Sequence, residues 1–159
     1  MEMQQRKHPR LKYYDYSLPG CYYVTIHMER GVPVLSSVGR GLAPVGIVVH
    51  LTPLGKIARQ QLFALEARYC CAKIDKYAIM PNHIHAIIRI IEDVGADEHR
   101  PTLMDMVCAY KSLTTRMCNQ LSCTPGRKLF QTSFFKRFCE MKKPIRNAGG
   151  ILMKTRRSG

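Results

Sequence analysis

Apolar and polar positions along this chain follow two periods, and the switches between them outline its elements. CYYVTIHM (residues 21–28) is rich in β-branched and aromatic side chains and reads as a strand. Gly, Pro and Ser punctuate residues 31–46, and IVVHL (47–51) is a short strand, so the stretch between reads as a hairpin or loop. Thr52-Pro53 starts a helix, with a capping hydroxyl followed by proline at the first helical position. Leu54, Ile57, Ala58, Leu62 and Leu65 then recur at helical spacing through about Tyr69. Two strand-like runs follow, CAKIDKYAIM (71–80) and HIHAIIRII (83–91), with only Pro81-Asn82 between them. Thr102, with Asp105 three residues on, starts a second helix by a capping-box variant. Its expected apolar stripe is Leu103, Met106, Val107, Tyr110, Leu113, Met117 and Leu121. Thr124-Pro-Gly126 ends it, and KLFQTSFFKRF (128–138) reads as a further strand. The order strand, helix, strand, strand, helix, strand predicts an α+β domain: a ferredoxin-like antiparallel sheet with helices packed on one face.

Length and charge narrow the classes. At 159 residues the chain suits one ordinary domain. It holds no apolar run of transmembrane length, and MEMQQRKHPR is too polar for a secretory leader, so a soluble cytoplasmic protein is expected. Its seven cysteines include no CxxC pair and are expected as free, buried thiols. The formal net charge of +14 favours a polyanionic partner, most often nucleic acid. Residues 139–159 carry +5 of that charge, leaving +9 on the rest.

The candidate chemistry lies in MPNHIHAII (80–88). On a strand, residues two apart share a face, so His83 and His85 project together while Ile84 points into the core. Two neighbouring imidazoles can share a divalent first-row ion and leave positions open for a phosphate oxygen. His27 and His50 also fall in strand-like runs but are read as ordinary strand residues.

MPNHIHAII resembles the HUH signature (His, hydrophobic, His) of single-tyrosine transposases, in the REP-associated branch. RLKYYDYSLPGCYYVTIHM, LTPLGKIA, KIDKYAIMPNHIHAIIRI, PTLMDMVCAYKSLTTRMCNQL and KLFQTSFF resemble that family's successive elements, over about residues 10–135. The resemblance implies binding of single-stranded or hairpin DNA, a Mg or Mn ion held by His83 and His85, and strand cleavage and rejoining through a phosphotyrosine. It also implies a monomer or homodimer. Candidate DNA contacts are Lys111, Arg116, Arg10 and Lys12.

One part of the pattern is absent. The family's nucleophile lies in a last helix reading roughly YIxxNP, with a polar third metal ligand four positions on. Here Phe138 is followed by CEMKKPIRNAGGILMKTRRSG, which Pro144 and Gly149-Gly150 interrupt, and no tyrosine follows Tyr110. The last family helix is therefore expected to be missing or disrupted. Residues 1–138 form the transposase-like domain, and 139–159 an aberrant basic tail expected to be disordered. Read from the third base of the Cys139 codon, allowed codons for that tail spell RNEEAYQECWRYIDENPAKW, which contains YIDENP. A frameshift just before Cys139 explains both facts. Tyr110 is the fallback nucleophile, although its place on the apolar stripe favours burial. The expected function is a transposase-like DNA-binding protein with impaired catalysis. The alternatives are a non-catalytic DNA- or RNA-binding module and a metal-dependent phosphodiesterase that uses water.

Overall fold

The structure is a computed structural model that describes residues 15–40, 46–92, 100–139 and 153–154. In chain order the elements are β1 (Gly20–His27), β2 (Ser36–Arg40), β3 (Ile47–Leu51), α1 (Pro53–Arg68), β4 (Ala72–Ile79), β5 (His83–Ile90), α2 (Leu103–Ser122), β6 (Phe135–Cys139) and β7 (Met153–Lys154). The main sheet runs β6-β1-β5-β4-β7, and β2 and β3 form a separate hairpin. All pairings are antiparallel. With β5 lying between β1 and β4, the β1–α1–β4 crossover is the split βαβ unit of a ferredoxin-like α+β fold.

The helices cover one face of this sheet. Tyr22, Val24 and Ile26 of β1 and Ile84, Ala86, Ile88 and Ile90 of β5 pack with Ala58, Leu62 and Leu65 of α1 and Leu103, Met106, Val107 and Tyr110 of α2. Each fully buried Ile or Leu contributes about 1.5–3 kcal/mol of transfer free energy, so this layer dominates stability. The opposite face carries Tyr23, Thr25, His27, His83, His85 and Arg89, which alternate with the core positions. A bulge between Ile74 and Lys76 shifts the alternation in β4, so Ala72 and Ile74 point to the core before it and Tyr77 and Ile79 after it.

Three sequence expectations change. The buried stripe of α2 continues through Thr114 and Cys118, while Leu121 is exposed. The core wraps the helix along the 107–110–114–118 row, leaving Leu113 and Met117 half-buried at its edge and Leu121 exposed. The last strand is shorter than expected because Leu129 and Phe130 bury themselves in the core. Residues 128–134 meet the end of β1 through Glu29 N–H to Leu129 O, Gln131 N–H to His27 O, Gln131 Nε2 to Met28 O, a Met28–Phe130 bridge and a Lys128–Glu29 ion pair, not as a continuous strand. Finally, Cys70, Cys108 and Cys123 are exposed rather than buried, and Cys139 is half-buried. Of the expected tail, Cys139 ends β6 and Met153–Lys154 pairs with Lys76 and Tyr77. Residues 140–152 and 155–159 lie outside the described residues.

Both helix starts follow the sequence. Thr52 Oγ1 accepts the Gly55 N–H at 3.2 Å. At α2, Thr102 Oγ1 accepts the Asp105 N–H at 3.2 Å, and Asp105 Oδ2 accepts the Thr102 N–H and hydroxyl, each at 2.8 Å. Those bonds, the backbone one first, hold the Asp105 carboxyl below the usual carboxylate range. A depressed carboxylate stabilises the fold above its unfolded value of 3.8, and that contribution is lost as pH falls through the lower folded value. Asp105→Asn, which keeps the Thr102 hydroxyl cap and removes the charge, is therefore expected to destabilise the protein more in urea melts at pH 7 than at pH 3. Equal costs at both pH values would remove the carboxylate from the cap.

Candidate metal and nucleic-acid site

The turn that presents the histidines is fastened on three sides. Met80 N–H donates to His83 O at 2.9 Å, closing the β4–β5 connection. Leu35 N–H donates to Pro81 O at 2.9 Å, and Met28 N–H to Asn82 O at 3.0 Å. The hairpin bearing β2 is held against the same end of the sheet by Ser36 Oγ donating to Ile79 O at 2.9 Å. Pro81-Asn82 is thus a rigid platform joined to β1 and to the hairpin.

His83 and His85 emerge from the sheet face opposite α1 and α2, half-buried, with ring centres 4.6 Å apart. His83 donates its Nδ1 proton to Asn82 Oδ1 at 2.7 Å, which leaves the lone pair on Nε2. His85 Nδ1 lies 2.7 Å from Tyr23 Oη and 3.0 Å from Thr25 Oγ1, and either hydroxyl can accept its proton. The Tyr23 ring also stacks on His85 at 5.5 Å. Burial lowers the proton affinity of both imidazoles; His27 adds to this at His83, and His83 and His27 add to it at His85. Both rings are therefore neutral at pH 7, the state a metal requires. Neutral imidazoles with Nδ1 engaged and Nε2 unshared fit a divalent ion as a donor pair. Among the described residues, no three His, Cys, Asp or Glu groups converge on one point.

The other predicted residues scatter. Lys111 donates its ammonium to Gln131 O and Thr132 O, tying α2 to the loop before β6, and burial lowers its pKa. Arg116 is exposed, but on α2, across the sheet from the histidines. Arg10 and Lys12 lie outside the described residues. Tyr110 is buried in the helix layer, its hydroxyl donating to Ala58 O at 3.1 Å, and burial raises its pKa steeply. A phenol so placed acts as core and offers no surface nucleophile. Sequence reading missed Tyr23, Thr25 and Asn82 as supports, and Arg137, which pairs with Tyr23 in register on the histidine face and is exposed. Asn82, directly before His83, was the one local signal; the rest arise from strand pairing.

Together these features define a ferredoxin-like α+β domain with a histidine pair on the sheet face opposite α1 and α2. No family model matches the chain. Its fold is similar to a solved structure of a REP-associated tyrosine transposase bound to a REP hairpin, with a TM-score of 0.54 at 14% identity. That similarity covers 81% of this chain and 62% of the other. An uncharacterised protein of Haemophilus influenzae (strain ATCC 51907 / DSM 11121 / KW20 / Rd) is 30% identical over 92 residues, 58% of this chain. The chain spans about half the length of that curated relative, 48% of it. No helix among the described residues is long and apolar enough to cross a membrane.

Proposed function

We propose that this protein binds single-stranded hairpin DNA across the sheet face opposite α1 and α2, with His83 and His85 holding a divalent cation against the phosphodiester backbone. The observation that carries this reading is the anchored pair itself: two neutral imidazoles on one face, each with Nδ1 in a hydrogen bond. Support also comes from the positive charge, from Arg137 on the same sheet face, and from the fold shared with a hairpin-bound transposase. When bound, the cation supplies charge stabilisation to phosphate oxygens. The chain's own contribution is placement. Asn82 and the Tyr23–Thr25 hydroxyls fix the ring orientations, and Arg137 neutralises backbone charge along the strand. Nicking would need a nucleophile at this face, and Tyr110, buried in the helix layer, cannot provide one. Tyr23 shares the face but is engaged with His85 Nδ1 as a ring support, so on this reading the chain binds DNA and forms no phosphotyrosine.

Hairpin binding measured with and without Mn2+ tests this. The expected result is metal-enhanced affinity that His83→Ala or His85→Ala abolishes. Arg137→Ala should weaken binding to all sequences and flatten the salt slope by about 1. Equal affinity with and without metal, unchanged by either histidine substitution, would leave a non-catalytic nucleic-acid-binding module in its place.

A further inference from the structure

We infer that His27 completes a three-imidazole cation site with His83 and His85, built from the adjacent strands β1 and β5. This rests on the reading that His83 and His85 hold a cation. It adds a ligand from β1 and predicts which ions the site prefers.

Strand register places His27 there. His27 is the direct partner of His83 across the β1–β5 pairing. Met28 N–H donates to Asn82 O, so the next position along, His27–His83, is a non-hydrogen-bonded pair. Side chains approach each other most closely at such positions. The His27 and His83 ring centres are 5.6 Å apart, against 4.6 Å for His83 and His85. Imidazoles that share one ion at about 2.1 Å hold their ring centres about 4.5–5.5 Å apart, so the backbone already provides the spacing. Side-chain rotation converges the rings; no strand has to move. His27 is exposed at the end of β1 and free to make that rotation, whereas His50 lies on β3 in the separate hairpin.

The donor set determines the class of ion. Three neutral nitrogen ligands without a carboxylate favour Co2+, Ni2+ or Zn2+ over Mn2+, and disfavour Mg2+. A metal held by two neighbouring strands is also independent of residues after β6.

Co2+ titration of the full chain, followed by the visible d–d band, tests the assignment. Binding to cysteine is separated by its thiolate charge-transfer band. The expected result is that His27→Ala raises the Co2+ Kd at least about tenfold, with an unchanged circular dichroism spectrum. His27→Asp should recover part of the affinity, and His50→Ala should have no effect. If His27→Ala binds as the parent does while His83→Ala and His85→Ala lose binding, His27 is not a ligand and the pair stands alone. If none of the three substitutions changes binding, the paired-histidine reading fails with it.

Discussion

Gly55→Ala is expected to lower stability by about 2–3 kcal/mol, the upper part of the range for overpacking a core. In an ordinary helix the same change would gain up to about 1 kcal/mol. Contact with a backbone atom reverses the sign. A Cβ at Gly55 would fall on the carbonyl oxygen of Leu35, with the Leu35 carbonyl carbon at 3.0 Å and Leu51 Cβ at 3.4 Å. That carbonyl cannot swing away cheaply, because it accepts the Thr52 N–H at 2.9 Å and the Thr52 hydroxyl at 3.0 Å. Relief therefore means lifting the first turn of α1, which would draw Leu54 and Ala58 out of the core. Against a total stability of about 5–15 kcal/mol, the loss should appear as a melting temperature lower by roughly 5–10 °C. Lys56→Ala, on the exposed side of the same turn, is the control and should stay within about 0.5 kcal/mol. A Gly55→Ala variant that melts with or above the parent would show that the helix does not approach Leu35 this closely.

The largest functional effect is expected from replacing residues 139–159 with the segment that the tail's second reading frame can spell. On the proposed reading, the chain as it stands forms no covalent adduct with a labelled hairpin in Mn2+. A chain that continues from Cys139 as RNEEAYQECWRYIDENPAKW should form one, and His85→Ala should abolish it. Geometry supports the expectation. β6 ends at Cys139, paired with Cys21, at the end of β1 farthest from His27. Along β1, the positions opposite His85 and His83 lie four and six residues back, about 13 and 20 Å. The tyrosine of YIDENP is the twelfth residue of the restored segment. A helix returning over the histidine face would carry it about 17 Å, level with the histidines. An adduct from the chain as it stands would show that another tyrosine serves, and Tyr23, hydrogen-bonded to His85, would be the first to substitute. Codons from Cys139 onward that cannot spell YIDENP would sink the frameshift itself.

The parts of this protein legible in advance were those set by neighbours in the chain. Both helix caps form where Thr52-Pro53 and Thr102…Asp105 place them, because capping joins groups within three residues. The strand boundaries around Pro81-Asn82 hold within about one residue for the same reason. The α2 stripe shifted because two rows of apolar residues wind around that helix. Only the position of the core chooses between them, and it chose the row ending at Thr114 and Cys118. Burial there pushes the Cys118 thiol up to about 11.

The histidine site divides along the same line. That His83 and His85 share a face, with Ile84 buried between them, follows from the two-residue period of a strand and needs no partner. That His27 stands opposite His83, that Tyr23 stacks on His85 and that Lys111 clamps a loop depend on pairings between residues 20 to 62 positions apart. Local pattern tells which way a side chain points within its own strand. Which strand lies beside it, and in what register, is decided when the whole sheet closes over one core, because a shift of one residue would turn every buried side chain outward.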